Sequence, residues 1–251
     1  MVTLLLKKSY RHKDLKEIKF NDLWNAHGVF TTMRVIGKSK KILFYKSHID
    51  NLINSLKIYK IYKKNLKENI INLIRTNLKK NKNYDHLLRV ASNNKILSIS
   101  LRKRPIPKSN FKLKLVNYKR IDAKYKNLKY NKILKILNKL DTTKFDIALY
   151  KNKKMLESGT SNLLFIKNKK IYSPSRDIYK GITFKFFCKK VKITPLDIFV
   201  RNLENYDEII LIGSGKGVVS VSQIENTSWK RKSLKIYDRL FKIYNNRIFY
   251  S

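Results

Sequence analysis

Residues 157–165 read Glu157-Ser158-Gly159-Thr160-Ser161-Asn162-Leu163-Leu164-Phe165. A carboxylate opens a run of Gly, Ser, Thr and Asn, and the run passes into an apolar stretch, Leu163 to Ile166, that reads as a strand. Glycine is scarce here, 7 among 251 residues. Lys, Ile and Asn dominate the chain and share A/T-rich codons, so drift towards those codons erodes glycine. The surviving glycines therefore mark places where the backbone needs them. Two further segments have the same make-up, Gly181-Ile182-Thr183 and Gly213-Ser214-Gly215-Lys216-Gly217. Each lies where a strand meets a turn or a helix, and backbone N–H groups and hydroxyls in such places bind anions. Singly each reads as a tight turn. Three in one half of the chain suggest a phosphate cradle. No Walker-type lysine loop or dinucleotide fingerprint is present, and Gly213-x-Gly215-x-Gly217 lacks the spacing of the latter.

Outward from these segments the chain reads as mixed α/β. Val29 to Ile36 is a β-branched strand ending at Gly37, and Lys41 to Tyr45 completes a hairpin with it. His48, Ile49, Leu52, Ile53, Leu56 and Tyr59 recur at helical spacing, as do Leu66, Ile70, Leu73, Ile74 and Leu78. Leu87 to Ser92 and Lys95 to Leu101 form a hairpin across Asn93-Asn94. Lys112 to Asn117 is one more strand, and the aperiodic stretch Tyr118 to Asn127 is a connector. Leu128 to Leu140 predicts a helix. Strands follow at Phe145 to Tyr150, Leu163 to Ile166 and Ile171-Tyr172, with turns at residues 151–153 and 167–169. Thr183 to Lys190 predicts a helix, Glu208 to Ile212 a strand, and Leu234 to Tyr244 a closing amphipathic helix.

Lys+Arg number 58 against 17 Asp+Glu, a formal net charge of +41. A hydrophobic fraction of 43% is that of a folded globular chain, which excludes disorder. The single cysteine, Cys188, excludes a disulfide framework or a cysteine-rich zinc module and reads as a small buried hydrophobe. No stretch has the length of a membrane span, and Met1 to Lys8 carries a short Leu run without the layout of a cleavable signal; a soluble, cytoplasmic protein is expected. The charge raises the alternative of a nucleic-acid binder. The lysines are spread along the whole length, however, with no recognisable nucleic-acid module, so compositional drift is preferred and only non-specific anion binding is expected.

At the glycine segments the chain resembles the class IV aminotransferases, the fold-type IV enzymes that use pyridoxal phosphate. That family includes branched-chain and D-amino-acid aminotransferases and aminodeoxychorismate lyases. The likeness runs from about His27 to about Ile224, in order. His27-Gly28-Val29-Phe30-Thr31-Thr32-Met33-Arg34 looks like the family's G-x-F-x-x-x-R strand, and His48-Ile49-Asp50-Asn51-Leu52 like its H-x-x-R-L helix. Glu157 to Asn162 looks like E-x-x-x-x-N, Gly181-Ile182-Thr183 like the G-I-T helix start, and Glu208 to Val221 like the last phosphate loop. The resemblance implies an α/β (α+β) two-domain fold. Its parts are a small N-terminal α/β domain over 1–118, an interdomain connector over 119–127 and a larger C-terminal pseudo-barrel cofactor-binding domain over 128–251. It also implies a homodimer whose active site lies between the domains and is completed by the neighbouring subunit.

The same resemblance implies pyridoxal 5'-phosphate as cofactor and a Schiff-base lysine in the connector. Asp122-Ala123-Lys124-Tyr125-Lys126-Asn127 matches the K-x-x-N of the D-amino-acid and lyase branches, which selects Lys124 with Asn127 and leaves Lys126 as a decoy. Glu157 is the implied carboxylate beside the pyridine nitrogen, and Lys124 the group that moves the Cα proton. Ser161 and Asn162 belong to the cofactor segment. Ile182 and Thr183 at a helix start, with Ser214 and Gly215 opposite, are the implied phosphate site. Phe30, Thr32 and Arg34 share one face of their strand and are the substrate candidates, with Arg89, Arg102 and Arg104 behind them. No metal is implied. Asn51 departs from the pattern, standing where the phosphate arginine is usual. The expected reaction is transfer of an amino group from a small amino acid, of branched-chain or D-amino-acid type, to a 2-oxo acid. Release of 4-aminobenzoate and pyruvate from aminodeoxychorismate is the alternative, and an anion-binding protein on a degenerate enzyme scaffold the more distant one.

Overall fold

The computed structural model describes residues 4–79 and 82–249; Met1, Val2 and Thr3 of the N-terminal Leu-run segment lie outside them. The chain divides into two compact units. One runs to Arg104 and takes in Tyr125–Asn131, and the other holds Pro105–Lys124 and the chain from Lys132 onward.

The first unit is an antiparallel sheet with two helices. Its strands are β1 (Leu4–Arg11), β2 (Glu17–Ile18), β3 (Gly28–Gly37), β4 (Lys41–Ile42), β5 (Tyr84–Asn93) and β6 (Ile96–Lys103), in the order β2-β1-β6-β5-β3-β4. Helices α1 (Tyr45–Ile58) and α2 (Leu66–Asn77) lie between β4 and β5 in sequence. Side chains alternate along β3, so Val29, Met33 and Val35 face the helices while Phe30, Thr32 and Arg34 face away. The core joins Val29, Met33, Leu88, Val90 and Ile99 of the sheet to Ile49, Leu52, Leu56, Ile70 and Ile74 of the helices. Each such buried side chain contributes roughly 1.5–3 kcal/mol. The β5–β6 hairpin turns at Asn93, whose Oδ1 accepts N–H bonds from Lys95 at 2.8 Å and Ile96 at 2.7 Å. Gly28 is required by crowding: a Cβ there would stand 2.3 Å from the Ser92 carbonyl oxygen and 2.7 Å from Leu128 Cδ1.

The second unit has two sheets around one core. The first is β15-β7-β8-β9, from β7 (Lys112–Asn117), β8 (Phe145–Lys151), β9 (Lys154–Ser158) and β15 (Gln223–Ile224), with β7 parallel to β8 and β15. The second is β12-β11-β10-β13-β14, from β10 (Asn162–Lys167), β11 (Lys170–Pro174), β12 (Ile193–Leu196), β13 (Glu208–Gly213) and β14 (Gly217–Ser220). Helices α3 (Asn131–Leu137), α4 (Ile182–Cys188) and α5 (Lys235–Phe249), with a 3-10 helix over Val200–Asn205, complete the elements among the described residues. Phe111, Leu113, Ala148 and Met155 pack with Leu163, Phe165, Leu211, Val219 and Trp229 in the shared core. The turns at Asn152-Lys153 and Asn168-Lys169 have positive φ at both residues, the twist a two-residue hairpin needs. Glu208, 1% exposed, accepts the N–H groups of Ile236 and Tyr237 and so caps the first turn of α5. No helix among the described residues is long and apolar enough to cross a membrane.

Three sequence expectations change. The helix expected from Leu128 starts at Asn131, because the stretch before it is bonded to β3: Leu128 N–H donates to Gly28 and Phe30 N–H to Lys126, both at 2.9 Å. The strand expected to Tyr45 stops at Ile42, since Phe44 is left-handed and Tyr45 opens α1. Cys188 is exposed, not buried, because Phe184 and Phe187 take the inward positions of α4.

One buried titratable group has a measurable consequence. His48 on α1 shares a 2.7 Å hydrogen bond between its Nδ1 and Thr31 Oγ1 of β3. Burial, with Lys126 adding to it, pulls its imidazolium down from 6.5 to about 3. The unfolded chain therefore takes up a proton below the ordinary histidine value while the folded chain does not, and stability falls as pH drops through that window. His48→Gln is expected to flatten the slope of unfolding free energy against pH there by up to about 1.4 kcal/mol per pH unit. Denaturant melts across mildly acidic pH check this, and an unaltered slope contradicts it.

Candidate active site

The second unit gathers the carboxylate and glycine segments through a chain of buried polar contacts. Glu157 closes β9 at 6% exposure. Its Oε1 accepts from Arg120 Nε at 2.6 Å and its Oε2 from the Tyr179 N–H at 3.2 Å. Arg120 is itself 3% exposed and donates through Nη2 to the carbonyl of Ala123 at 2.9 Å. One guanidinium thus holds both the carboxylate and the peptide that precedes Lys124. Lys124 ends a turn over residues 121–124, and its side chain is exposed.

Asn162 opens β10, opposite Ile212 of β13. Its Nδ2 donates to the Tyr179 carbonyl at 2.6 Å, and its Oδ1 accepts the Gly181 N–H at 3.1 Å. That pair of bonds sets where α4 begins. Ile182 and Thr183 form its first turn, both buried, and Thr183 Oγ1 lies 3.3 Å from Ser214 Oγ in the β13–β14 turn. Gly215 follows in the same turn. Ser161 is 8% exposed, and its Oγ is buried without a hydrogen-bond partner among the described residues. Glu157, Ser161, Asn162, Ile182, Thr183 and Ser214 are therefore brought together by β9, β10, α4 and the β13–β14 turn.

In the first unit Asn127 is 2% exposed, bridges Val29 of β3 and accepts the Lys129 N–H on its Oδ1. On the β3 face turned away from the helices, Phe30 meets Trp24 and Tyr130 edge-on at 5.0 and 5.7 Å. Thr32 pairs across with Arg89 of β5. Arg34 Nε donates to Asp85 Oδ1 at 2.9 Å, and Arg104 Nε reaches the same oxygen at 2.9 Å. Arg89 stacks its guanidinium over Trp24 at 3.7 Å and donates to the Asp22 carbonyl, and burial pulls it down to about 9. Its Nε is buried with no partner among the described residues. His27 stacks on Tyr59 and bonds its carbonyl, a packing role. Sequence reasoning missed Arg120, which is one of 58 basic residues and is distinguished only by its buried partner.

The model of the family described as "Amino-transferase class IV" matches residues 28–224. The chain belongs to the class IV aminotransferases. Like other members it is a pyridoxal-phosphate-dependent enzyme, an aminotransferase or a lyase acting on amino acid and oxo acid substrates. Solved structures share the fold. A branched-chain aminotransferase from Thermoproteus uzoniensis, with norvaline, is 16% identical, with 96% of this chain and 94% of that one covered and a TM-score of 0.75. An aminotransferase from Brucella abortus bound to PLP is 15% identical, with 95% and 98% covered and a TM-score of 0.73. A protein from Legionella pneumophila described as a 4-amino-4-deoxychorismate lyase is 20% identical, with 88% and 91% covered and a TM-score of 0.72. No curated protein matches the sequence.

The residues fit the cofactor. Ser161 Oγ is a buried hydroxyl orphaned among the described residues, Thr183 and Ser214 present a hydroxyl pair, and Glu157 is a buried carboxylate beside the Arg120 guanidinium, the chemistry a protonated ring nitrogen asks for. Removing the arginine tests this arrangement. Arg120→Met leaves Glu157 buried without its cation and is expected to cost about 3–5 kcal/mol of stability. Arg120→Lys restores the charge but not the fork to Ala123, so it recovers only part. Thermal melts read both, and an Arg120→Met protein as stable as the wild type contradicts the arrangement.

Proposed function

We propose that the protein is a transaminase that moves an amino group from a small amino acid, of branched-chain or D-amino-acid type, to a 2-oxo acid, working as a homodimer. The observation that carries the reading is the Arg120 guanidinium shared between Glu157 and the peptide before Lys124. Bound pyridoxal phosphate supplies the electron sink for the pair left on the substrate Cα. The chain's own residues supply the rest. Lys124 would link the cofactor and move the proton from the substrate Cα to the cofactor carbon, first as base and then as acid. Glu157, held by Arg120 and the Tyr179 N–H, would accept a hydrogen bond from the protonated ring nitrogen. Asn127 supports the lysine segment from β3. Ile182, Thr183, Ser214 and Gly215 hold the phosphate, with Ser161 and Asn162 shaping that side.

Phe30 and Thr32 are the residues proposed to meet the substrate. Arg34, held by Asp85, is the proposed cation for a substrate carboxylate, and Arg89 Nε, without a partner among the described residues, supports that role. Contact with nucleic acid is non-specific and follows from the charge. The spacing of Lys124 and Asn127 resembles the lyase branch as well as the D-amino-acid branch, which supports a second reading, the lyase that releases pyruvate from aminodeoxychorismate.

Purified protein loaded with pyridoxal phosphate is expected to make more than one equivalent of 2-oxo acid per site from an amino donor only when a 2-oxo acid acceptor is added. Lys124→Ala is expected to lower turnover at least about a hundredfold, and Lys126→Ala to leave most of it. Pyruvate formed from aminodeoxychorismate with no acceptor present overturns the transaminase reading in favour of the lyase.

A further inference from the structure

Asp146, at the start of β8, is completely buried. Its Oδ1 accepts the Ile147 N–H at 2.8 Å. Its Oδ2 accepts from Ser158 Oγ at 3.1 Å and Thr160 Oγ1 at 2.7 Å, and Lys216 Nζ stands 3.6 Å away. Lys216, in the β13–β14 turn, is 8% exposed, and its ammonium lies over the Phe111 ring at 4.9 Å. One carboxylate oxygen therefore ties together two segments distant in sequence, the 158–161 loop and the 214–216 turn. Their approach is close. A Cβ at Gly213 would stand 2.7 Å from Ser161 Oγ, and a Cβ at Gly159 would stand 2.8 Å from Asp146 Oδ1. The Ser161 hydroxyl left without a partner lies at this junction.

A buried ion pair is a poor way to gain stability, because taking both charges out of water offsets most of their attraction. A pair kept in such a place does better as a device of register. We propose that Asp146 and Lys216 are positioning residues: their pair sets the gap between the Ser158–Asn162 segment and the Ser214–Gly215 turn, and through that gap the affinity for the phosphate of pyridoxal phosphate. The inference rests on the function proposed above. Lys216 gives the pair a second consequence. It brings a fixed cation into the turn of a chain that carries Asn51 where the family pattern has arginine.

Stability and register separate in a set of three variants, Lys216→Met, Asp146→Asn and the double. Each single change leaves one buried charge without its partner and lowers Tm. The double leaves none, so its Tm returns close to the wild type. Nothing in the double draws the turn to the loop, so its dissociation constant for pyridoxal phosphate, measured by titration well below Tm, stays raised by about tenfold or more, the scale on which loss of a supporting contact weakens a bound group. Amide exchange at Thr160 and Ser161, whose N–H groups bond Ser158 Oγ, speeds up in Lys216→Met without any cofactor present. A double variant whose dissociation constant recovers along with its Tm, or unchanged exchange at Thr160 and Ser161 in Lys216→Met, overturns the proposal. Wild-type protein that takes up no pyridoxal phosphate sinks the functional reading instead, and the exchange result then decides on the pair alone.

Discussion

The ion pair of Arg120 and Glu157 is the contact on which the arrangement of the second unit's site turns. Both side chains are almost wholly buried, at 2% and 8% exposure. Such a pair persists only when its remaining donors and lone pairs are also satisfied. Here the second arm of the guanidinium reaches Ala123, and the second carboxylate oxygen takes the Tyr179 N–H. Tyr179 in turn gives its carbonyl to Asn162, and Asn162 takes the Gly181 N–H. The connector, the end of β9, the start of β10 and the start of α4 are thus linked through one unbroken series of hydrogen bonds. Shifting any member displaces the rest, which is how a site of this kind is held rigid.

Acidic residues are scarce, and the buried ones have separate tasks. Glu157 meets Arg120, Asp146 meets Lys216 and two hydroxyls, and Glu208 caps α5 through two backbone N–H groups. Each lies at or next to the end of a strand. The large excess of lysine is spread along the chain, and that fits compositional drift better than a dedicated nucleic-acid surface. The acids that remain in the interior record where the fold needs a negative charge.

Much of the fold was legible because alternation and helical spacing survive a lysine-rich composition. β7 follows from period-two patterning, β3 from its β-branched run, β5 from the hairpin signal at Asn93-Asn94, β10 from its apolar run, and α1 and α2 from apolar faces. The misread places are those where tertiary pairing overrode local pattern. Leu128 carries a helical periodicity, yet its N–H is used by Gly28. β1 was unread because its leucines run together with lysines and gain their meaning only from pairing with β6. The parallel union of β7 with β8 and β15 leaves no trace in sequence. Of the site, the motif residues stood out by type and spacing. Arg120 and Lys216 did not, because a basic residue among 58 carries no signal until its buried carboxylate is seen beside it.

In the proposed enzyme Arg120, by holding Glu157 and the Ala123 peptide together, fixes Lys124 as the lysine that links the cofactor. Borohydride reduction of the protein loaded with pyridoxal phosphate, followed by peptide mapping, tests it most directly. A single phosphopyridoxyl mark on Lys124 is expected. A mark on Lys126, or marks scattered over many lysines, contradicts it.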